Sequence, residues 1–395
     1  VTGNASSISV PNSQSIRVGN AGTGTLNVLN GGAVSTGSLS VGLGTTGAGT
    51  VTVKSAGSNL VATNTISVGY SGGGSMHIEN GGSVSANNIS IASNVGATDY
   101  VSLTGNNSSL TATQALKVGG DSADGGQGTL SISNGATATV GGALTLWSQG
   151  NVSVNGGTLQ MGSLIDQNGN FDLHSGTVQF TNNTVLNNAL LDKLVGTAHS
   201  LGNFKNLEGG AGTTLTVGTT NLDIDGGRIG GHNLTNVGVT NLQRGRVEMT
   251  GSFLNDVQGT FVLQNTGSAT FTGGVQNNGV FLTNGLATAS GGGTFTNNGT
   301  LAGTGTLKHT LQNNGTIQVA AIDRLVIDNG SNLSVNSGSV QMVGGRFEFS
   351  GQVSNAASGF ISGTGTLATA SVTPGSLGLT NRGSVAFTGG ANHVF

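Results

Sequence analysis

Short runs of alternating apolar and small polar residues recur along the first part of the chain. Gly24–Val28 reads Gly-Thr-Leu-Asn-Val. The last position of the run is apolar again at 25-residue intervals: Val28, Val53, Ile78 and Leu103. An alternation with a period of two residues is typical of a strand that buries one face. Because the runs are short and end in Gly/Asn corners, the pattern predicts many short strands joined by tight turns.

Each copy of the repeat holds about three such strands and no helix. A repeat of about 20–25 residues with this content is typical of one turn of a parallel β-solenoid, whose consecutive turns stack ~4.8 Å apart. We therefore predict an all-β fold, a right-handed parallel β-solenoid with about 20–25 residues per turn.

The filling of the predicted core changes along the chain. Phenylalanine is absent before Phe171, and Ala189–Val195 is the only stretch with a helix-like composition. We predict an N-terminal solenoid block over residues 1–184 with a Val/Leu/Ile core and an interruption or corner over 185–206. A C-terminal block follows over 207–395, with repeats of about 20 residues and phenylalanine in the core.

Asparagines mark corners of the second block. Asn-Asn-Gly occurs at like positions of three repeats, and stacked amides at such corners can hydrogen-bond along the axis as ladders. The predicted ladder residues are Asn277, Asn278, Asn297, Asn298, Asn313 and Asn314. A longer echo repeats Gly-Arg-x-Glu at Gly245–Glu248 and Gly345–Glu348, about five predicted turns apart.

The chain resembles the passenger regions of bacterial autotransporter adhesins and related exported Gly/Asn-rich β-helix proteins. The resemblance is carried by Gly24–Val34, by its copies to about residue 165 and by Asn297–Leu301. It implies export across a Gram-negative envelope and a role in surface display, adhesion or extracellular matrix. It leaves the secretion route open.

Composition excludes several classes of protein. The 395 residues include 73 glycines but only 12 basic and 15 acidic residues, too few charges for a disordered chain. Two prolines without a Gly-X-Y period exclude collagen, and no apolar run is long enough for a membrane-spanning helix. The net charge of −3 argues against a nucleic-acid partner, and the lack of cysteine excludes disulfides and thiol catalysis. Because the chain starts at Val1 without a basic and apolar leader, we expect a mature or trimmed segment.

Two aspartates are candidates for catalysis. If the apolar residue between them faces inward, Asp223 and Asp225 share the outer face roughly 7 Å apart, a separation that an inverting glycosidase could use. The alternative is a charge ladder, because Arg244 follows Asp223, and Arg246 follows Asp225, at an interval close to one predicted turn. The arginines would then lie over the two aspartates as opposite-charge pairs. We favour the ladder and predict that the protein is not an enzyme.

The remaining polar motifs favour no cofactor. Asp121 and Asp124 offer carboxylates for calcium, but their loop lacks the Gly-Gly-x-Gly-x-Asp repeat of calcium-binding β-rolls. The six histidines are too far apart in sequence for a typical zinc motif. The single tryptophan, Trp147, is either a sugar-stacking platform or an ordinary residue beside Leu146. We predict no metal and no cofactor.

Taken together, these patterns predict a non-enzymatic structural or adhesive β-solenoid of a bacterial surface or matrix, secreted from a Gram-negative bacterium. The expected partners are glycans and surfaces of a host or matrix, or further copies of the chain. Head-to-tail filaments are expected because Phe395 stands where a soluble solenoid would carry a polar cap. The alternatives are a polysaccharide-cleaving β-helix enzyme centred on Asp223 and Asp225 and a non-catalytic glycan-binding module.

Overall fold

The structure is a computed structural model that describes residues 1–96, 98–264, 266–369 and 378–388, and the backbone of 393–394. The described residues form short strands and one α-helix, α1 (Asn188–Val195). The first strands are β1 (Ser7–Ser9), β2 (Ser15–Val18), β3 (Thr23–Leu29), β4 (Ala33–Val41), β5 (Ala48–Lys54), β6 (Asn59–Val68), β7 (Gly73–Glu79), β8 (Ser83–Ile91), β9 (Thr98–Thr104), β10 (Ser109–Val118), β11 (Gln127–Ser133), β12 (Thr137–Leu146), β13 (Gly150–Asp166), β14 (Asn170–Phe180), β15 (Thr184–Leu186), β16 (Ser200–Gly202), β17 (Lys205–Gly209), β18 (Thr214–Val217) and β19 (Asn221–Gly231). They are followed by β20 (Asn233–Asn236), β21 (Val239–Met249), β22 (Phe253–Asn255), β23 (Thr260–Gln264), β24 (Ser268–Phe271), β25 (Val275–Asn277), β26 (Val280–Asn284), β27 (Thr288–Asn297), β28 (Thr300–Gly303), β29 (Gly305–Asn313), β30 (Thr316–Val319), β31 (Arg324–Ile327), β32 (Leu333–Asn336), β33 (Ser339–Phe349), β34 (Gln352–Asn355), β35 (Phe360–Thr369), β36 (Leu379–Asn381), β37 (Ser384–Phe387) and β38 (His393–Val394).

The chain divides into two compact units. The first comprises Val1–Asn182, Lys193–Val195 and Phe204–Glu208, and the second comprises Asn183–Asp192, Gly196–Asn203 and Gly209–Phe395. Each unit is a parallel β-solenoid, because its strands pair in parallel with the equivalent strands of the next turn. The predicted all-β parallel solenoid is thereby confirmed.

The register of the first unit follows the sequence repeat. Val28 pairs with Val53, Val53 with Ile78, and Ile78 with Leu103. All four side chains are fully buried. A slip by one position would turn the apolar set towards solvent, so burial of this face holds the strands in the register that the repeat predicts.

Phenylalanine rings stack along the core of the second unit. Phe253 and Phe271 lie with ring centroids 4.6 Å apart in a stacked arrangement. Phe261 stacks on Phe281 at 5.1 Å, and Phe281 meets Phe295 edge to face at 5.1 Å. All five rings are fully buried, so phenylalanine fills much of this core, whereas the core of the first unit is mainly Val, Leu and Ile until Phe171 and Phe180.

The segment predicted as an interruption contains α1. Asn187 caps the helix by accepting a hydrogen bond from the backbone N–H of Leu190 at 2.9 Å, and Gly196 ends it with a φ of 84°. Leu191 and Leu194 form its buried side. No helix among the described residues has the length and apolar character needed to cross a membrane.

Candidate functional site

The candidate catalytic aspartates lie on β19, and one of them is held by an arginine. Arg244 donates to both carboxylate oxygens of Asp225, from Nε at 2.6 Å and from Nη2 at 2.9 Å. The hydrogen bonds from Arg244 hold the pKa of Asp225 below its ordinary value. A general acid needs the opposite shift, so this pairing suits a structural ion pair and not the acid of a glycosidase.

The pairing within the charge ladder differs from the one expected from the sequence. Asp223 lies beside Asn241, Asp225 beside Arg244, and Arg228 beside Arg246. The turn is shorter than the prediction assumed, and the register shifts on either side of Asp225. Arg244 therefore meets Asp225 instead of Asp223, and Arg246 lies 3.8 Å from Glu248 instead of meeting Asp225.

The two candidate calcium ligands each have a partner within the protein. Asp121 accepts a hydrogen bond from Lys117 Nζ at 2.7 Å, and Asp124 accepts one from the backbone N–H of Ser148 at 3.1 Å. Across the part of the chain that the structure describes, no three His, Asp or Glu side chains cluster as metal ligands would. Trp147 packs against Gly120, where an added Cβ would lie 2.8 Å from the indole, and its Nε1 is buried.

A row of asparagines, buried except for the exposed last member Asn381, follows one corner of the second unit. Each Nδ2 donates to the Oδ1 of the next asparagine over 2.6–2.8 Å. The row consists of Asn236, Asn255, Asn277, Asn297, Asn313, Asn336, Asn355 and Asn381. The amide of Asn297 also donates to the carbonyl oxygen of Thr316 at 3.1 Å, so both of its N–H groups are used. We call this row the inner ladder.

A second row runs beside the inner ladder on the surface. Asn298 donates to Asn278 over 2.9 Å, and Asn314 donates to Asn298 over 3.0 Å, in the opposite direction to the inner ladder. The six asparagines named from the sequence thus fall three to each row. The other five members of the inner ladder were not predicted, because they do not stand in an Asn-Asn-Gly sequence. The wider signal Asn-x-Gly also marks Asn236, Asn336 and Asn381.

A hydroxyl, an imidazole and a carboxylate meet near α1, and no sequence motif indicated this contact. His199 Nε2 lies 2.9 Å from Asp192 Oδ1, and Nδ1 lies 3.2 Å from Thr220 Oγ1. The arrangement resembles a catalytic triad in composition, but Nδ1 also faces the carbonyl oxygen of Asn221 at 3.1 Å. Nδ1 donates to these oxygens or accepts from the Thr220 hydroxyl according to the tautomer, and in either case the imidazole links Asp192 on α1 to the start of β19. His199 therefore clamps the helix segment to the neighbouring strand.

The two Gly-Arg-x-Glu segments form matching ion clusters on one face of the second unit. Glu248 accepts from Arg228 Nε at 2.6 Å, and Arg246 lies beside it. Glu348 accepts a pair of hydrogen bonds from Arg324, both at 2.8 Å, and a further one from Arg346. Burial acts to raise the pKa of Glu348, but the hydrogen bonds from the two arginines outweigh it and hold the pKa below its ordinary value.

One carboxyl group is buried in the core of the first unit. Asp99 is 1% exposed and occupies a column that otherwise holds glycine, since Gly128, its register partner, pairs in turn with Gly150. Its Oδ1 accepts from the backbone N–H of Gly74 at 2.5 Å, while Oδ2 is buried without a hydrogen bond. Burial raises the pKa of Asp99 to about 7, which the hydrogen bond from Gly74 only partly offsets.

The second unit also buries an ionisable side chain, a histidine. His309 is 3% exposed and lies against Gly291 and Phe295. Its Nδ1 bonds the carbonyl oxygen of Gly293 at 3.0 Å, and its Nε2 is buried without a partner. Burial lowers the pKa of His309, so the imidazole is neutral in the folded protein at neutral pH.

Comparisons with known proteins identify no family. No protein-family model matches the chain, and no curated protein matches it. Among solved structures, the crystal structure of a TibC-catalyzed hyper-glycosylated TibA fragment is similar over 97% of this chain and 98% of that one. The identity is 14% and the TM-score is 0.23. Function is therefore inferred from the residues of this chain.

Proposed function

We propose that the protein is a non-enzymatic, extracellular β-solenoid that presents polar surfaces for adhesion at a bacterial surface or in its matrix. The proposal is carried by one observation: columns of Ser, Thr and Asn side chains line the outside of the stacked turns. In the first unit, Thr25, Thr50 and Ser75 are register partners, and Ser75 donates to Thr50 over 3.1 Å. In the second unit, Thr300 pairs with Thr316.

Such columns suit binding by many weak contacts. Hydroxyl and amide groups repeat at the spacing of the turns, ~4.8 Å, and the buried apolar core holds them in place. A ligand with repeated hydroxyl groups, such as a glycan, can meet several of them at once, and the gain from many linked contacts exceeds that from any one. A scaffold of this kind needs no reaction centre, in keeping with the ion pair that occupies Asp225.

The proposal includes association of copies end to end. In a parallel solenoid, each turn presents the same row of backbone donors and acceptors to the next, so a turn of one copy can pair with a turn of another. Filaments were expected because of Phe395, which lies outside the described residues. Negative-stain electron microscopy of the purified chain tests this part, with long uniform filaments expected and isolated particles at high concentration contradicting it.

The adhesive function is tested by binding of the purified, fluorescently labelled chain to a glycan array and to matrix-coated surfaces. We expect saturable binding that the unlabelled chain competes away and that heat-unfolded protein lacks. The same preparations incubated with polysaccharides should release no reducing ends. Turnover that is lost in Asp223→Ala/Asp225→Ala would instead establish the enzyme, and absence of binding to every surface would refute the adhesive function.

A further inference from the structure

One outer strand face of the second unit carries basic side chains on several of its turns. We call this surface the arginine face and define it by Arg228, Arg246, Lys308, Arg324 and Arg346, together with Glu248 and Glu348. These side chains point outward because the residues that alternate with them, among them Val247, Leu307 and Phe347, are buried. The face therefore carries five of the 12 basic residues of the chain.

The charged groups are aligned along the stacking direction. One column of register partners runs through Arg228, Arg246, Ser268, Thr288, Thr306, Val326 and Glu348. At ~4.8 Å per turn, its six steps span about 29 Å. A cluster of arginines stands near each end, and the three turns between them carry hydroxyl groups and Lys308.

The arginine face is positive in a chain that is negative overall. Its five cations stand against Glu248, Glu348 and the neighbouring Asp323 and Asp328, which gives a net charge of +1, whereas the whole chain carries −3. Lys308 is exposed and forms no ion pair with any described residue. Asp328 accepts a hydrogen bond from Ser350 at 2.8 Å. Anionic ligands are therefore attracted to this face and repelled from most of the rest.

Glu248 and Glu348 hold Arg246 and Arg346 in place but do not use all of their N–H groups. Arg246 is 69% exposed, and its 3.8 Å separation from Glu248 is too long for a hydrogen bond, so its N–H groups can bind a ligand. Arg346 is 51% exposed and donates to Glu348 from Nε, so its terminal N–H groups are not used in that contact. Guanidinium groups held in this way suit carboxylate and sulfate groups, which accept two parallel hydrogen bonds.

We propose that the arginine face binds an acidic polysaccharide that lies along the stacking direction. Its carboxylate or sulfate groups meet Arg246, Arg346 and Lys308, and its sugar hydroxyls meet the row of Ser268, Thr288 and Thr306. The inference rests on the adhesive function proposed above and names a ligand class and a site for it. Nucleic acid fits less well, because a duplex carries one charge per ~1.7 Å and needs a denser set of cations.

The test is binding of the full chain to immobilised heparin, polygalacturonate and neutral dextran at several salt concentrations. Heparin presents sulfates and polygalacturonate presents carboxylates, so the two arms separate the two anionic groups. The test variant is Arg246→Gln/Lys308→Gln/Arg346→Gln. The matched control, Arg17→Gln/Lys54→Gln/Lys205→Gln, removes the same charge from the first unit. Thermal unfolding by circular dichroism establishes that both variants are folded.

We expect the wild type to bind at least one acidic polysaccharide and not dextran, with an affinity that falls as salt rises. The test variant should bind about tenfold or more weakly, with a salt slope lower by about two to three, while the control stays close to wild type. Equal losses in both variants, no loss in the test variant, or tighter binding of duplex DNA of equal charge would overturn the assignment.

A conservative variant and the adhesion assay complete the design. Arg246→Lys/Arg346→Lys keeps the charge but loses the forked hydrogen bonds, so binding should be intermediate between those of wild type and the test variant. If the test variant loses no polysaccharide binding but the wild type still adheres to matrix-coated surfaces, the arginine face is refuted and the adhesive function stands. If the wild type adheres to nothing, the adhesive function itself fails.

Discussion

Replacing Asp99 with asparagine should remove a pH dependence from the stability of the first unit. Asp99→Asn keeps the size of the side chain and an oxygen for the N–H of Gly74, but it cannot ionise. In the folded protein the wild-type carboxyl has a pKa of about 7, compared with 3.8 for an unperturbed aspartate. Between about pH 4 and pH 7, the folded state therefore keeps a proton on Asp99 that the unfolded chain releases.

The sign and the size follow from this difference. Stability from Asp99 is fully present below about pH 4 and is lost as the pH rises through the folded-state pKa near 7. A pKa that is higher by about three corresponds to about 4 kcal/mol in the free energy of unfolding. At pH 8 the variant should thus be more stable than wild type by up to about 4 kcal/mol, and at pH 4 the two should be nearly equal.

Trp147 provides the assay, because the chain has one tryptophan and it lies in the first unit. Urea unfolding followed by its fluorescence between pH 4 and pH 8 gives the stability of this unit. Groups that the two proteins share contribute equally to both and cancel in the difference. A wild-type midpoint that does not fall relative to that of Asp99→Asn as the pH rises would refute the burial of a neutral carboxyl here.

Three further substitutions test other parts of the structure. Asn297→Ala breaks the buried inner ladder and should lower the free energy of unfolding, measured with urea, by about 2–4 kcal/mol. Asn298→Ala on the exposed row should lower it by less than about 1 kcal/mol. Equal losses would contradict the difference between the buried and the exposed row. Burial lowers the pKa of His309, so the second unit should lose stability as the pH falls below about 6.5. His309→Gln should abolish this loss. Hydrogen–deuterium exchange of peptides from β27 and β29 measures it. Asp225→Asn should lower the thermal midpoint only slightly, with an effect that fades in high salt, because the pair with Arg244 is exposed; a large effect independent of salt would argue against a surface ion pair.

The strand register could be predicted from the sequence where the repeat is regular. The constant interval from Val28 to Leu103 translates directly into register, because burial of one strand face allows no slip. The interval could not give the partners of Arg244 and Arg246, because shorter turns with register shifts replace the average one there. Local corner geometry, not strand pattern, decides such offsets.

The buried polar groups were harder to predict than the ladders. Nothing in the alternation distinguishes Asp99 from an outward aspartate, and only its place in a column shared with Gly128 and Gly150 shows that it enters the core. The contact between His199 and Asp192 depends on how α1 is placed, which the repeat pattern does not determine. Features that depend on departures from the repeat therefore required the structure.

The inner ladder keeps consecutive turns aligned although the turns differ in length. Asn297 and Asn313 are 16 residues apart, whereas Asn313 and Asn336 are 23 apart, yet the amide hydrogen bonds are 2.7 and 2.6 Å long. The extra residues are absorbed at other corners, where Leu286 and Ile322 are 94% exposed. Peptides grafted at these tips would leave the aligned corner unchanged, so the second unit can serve as a display framework whose valency is set by the number of turns that carry a graft.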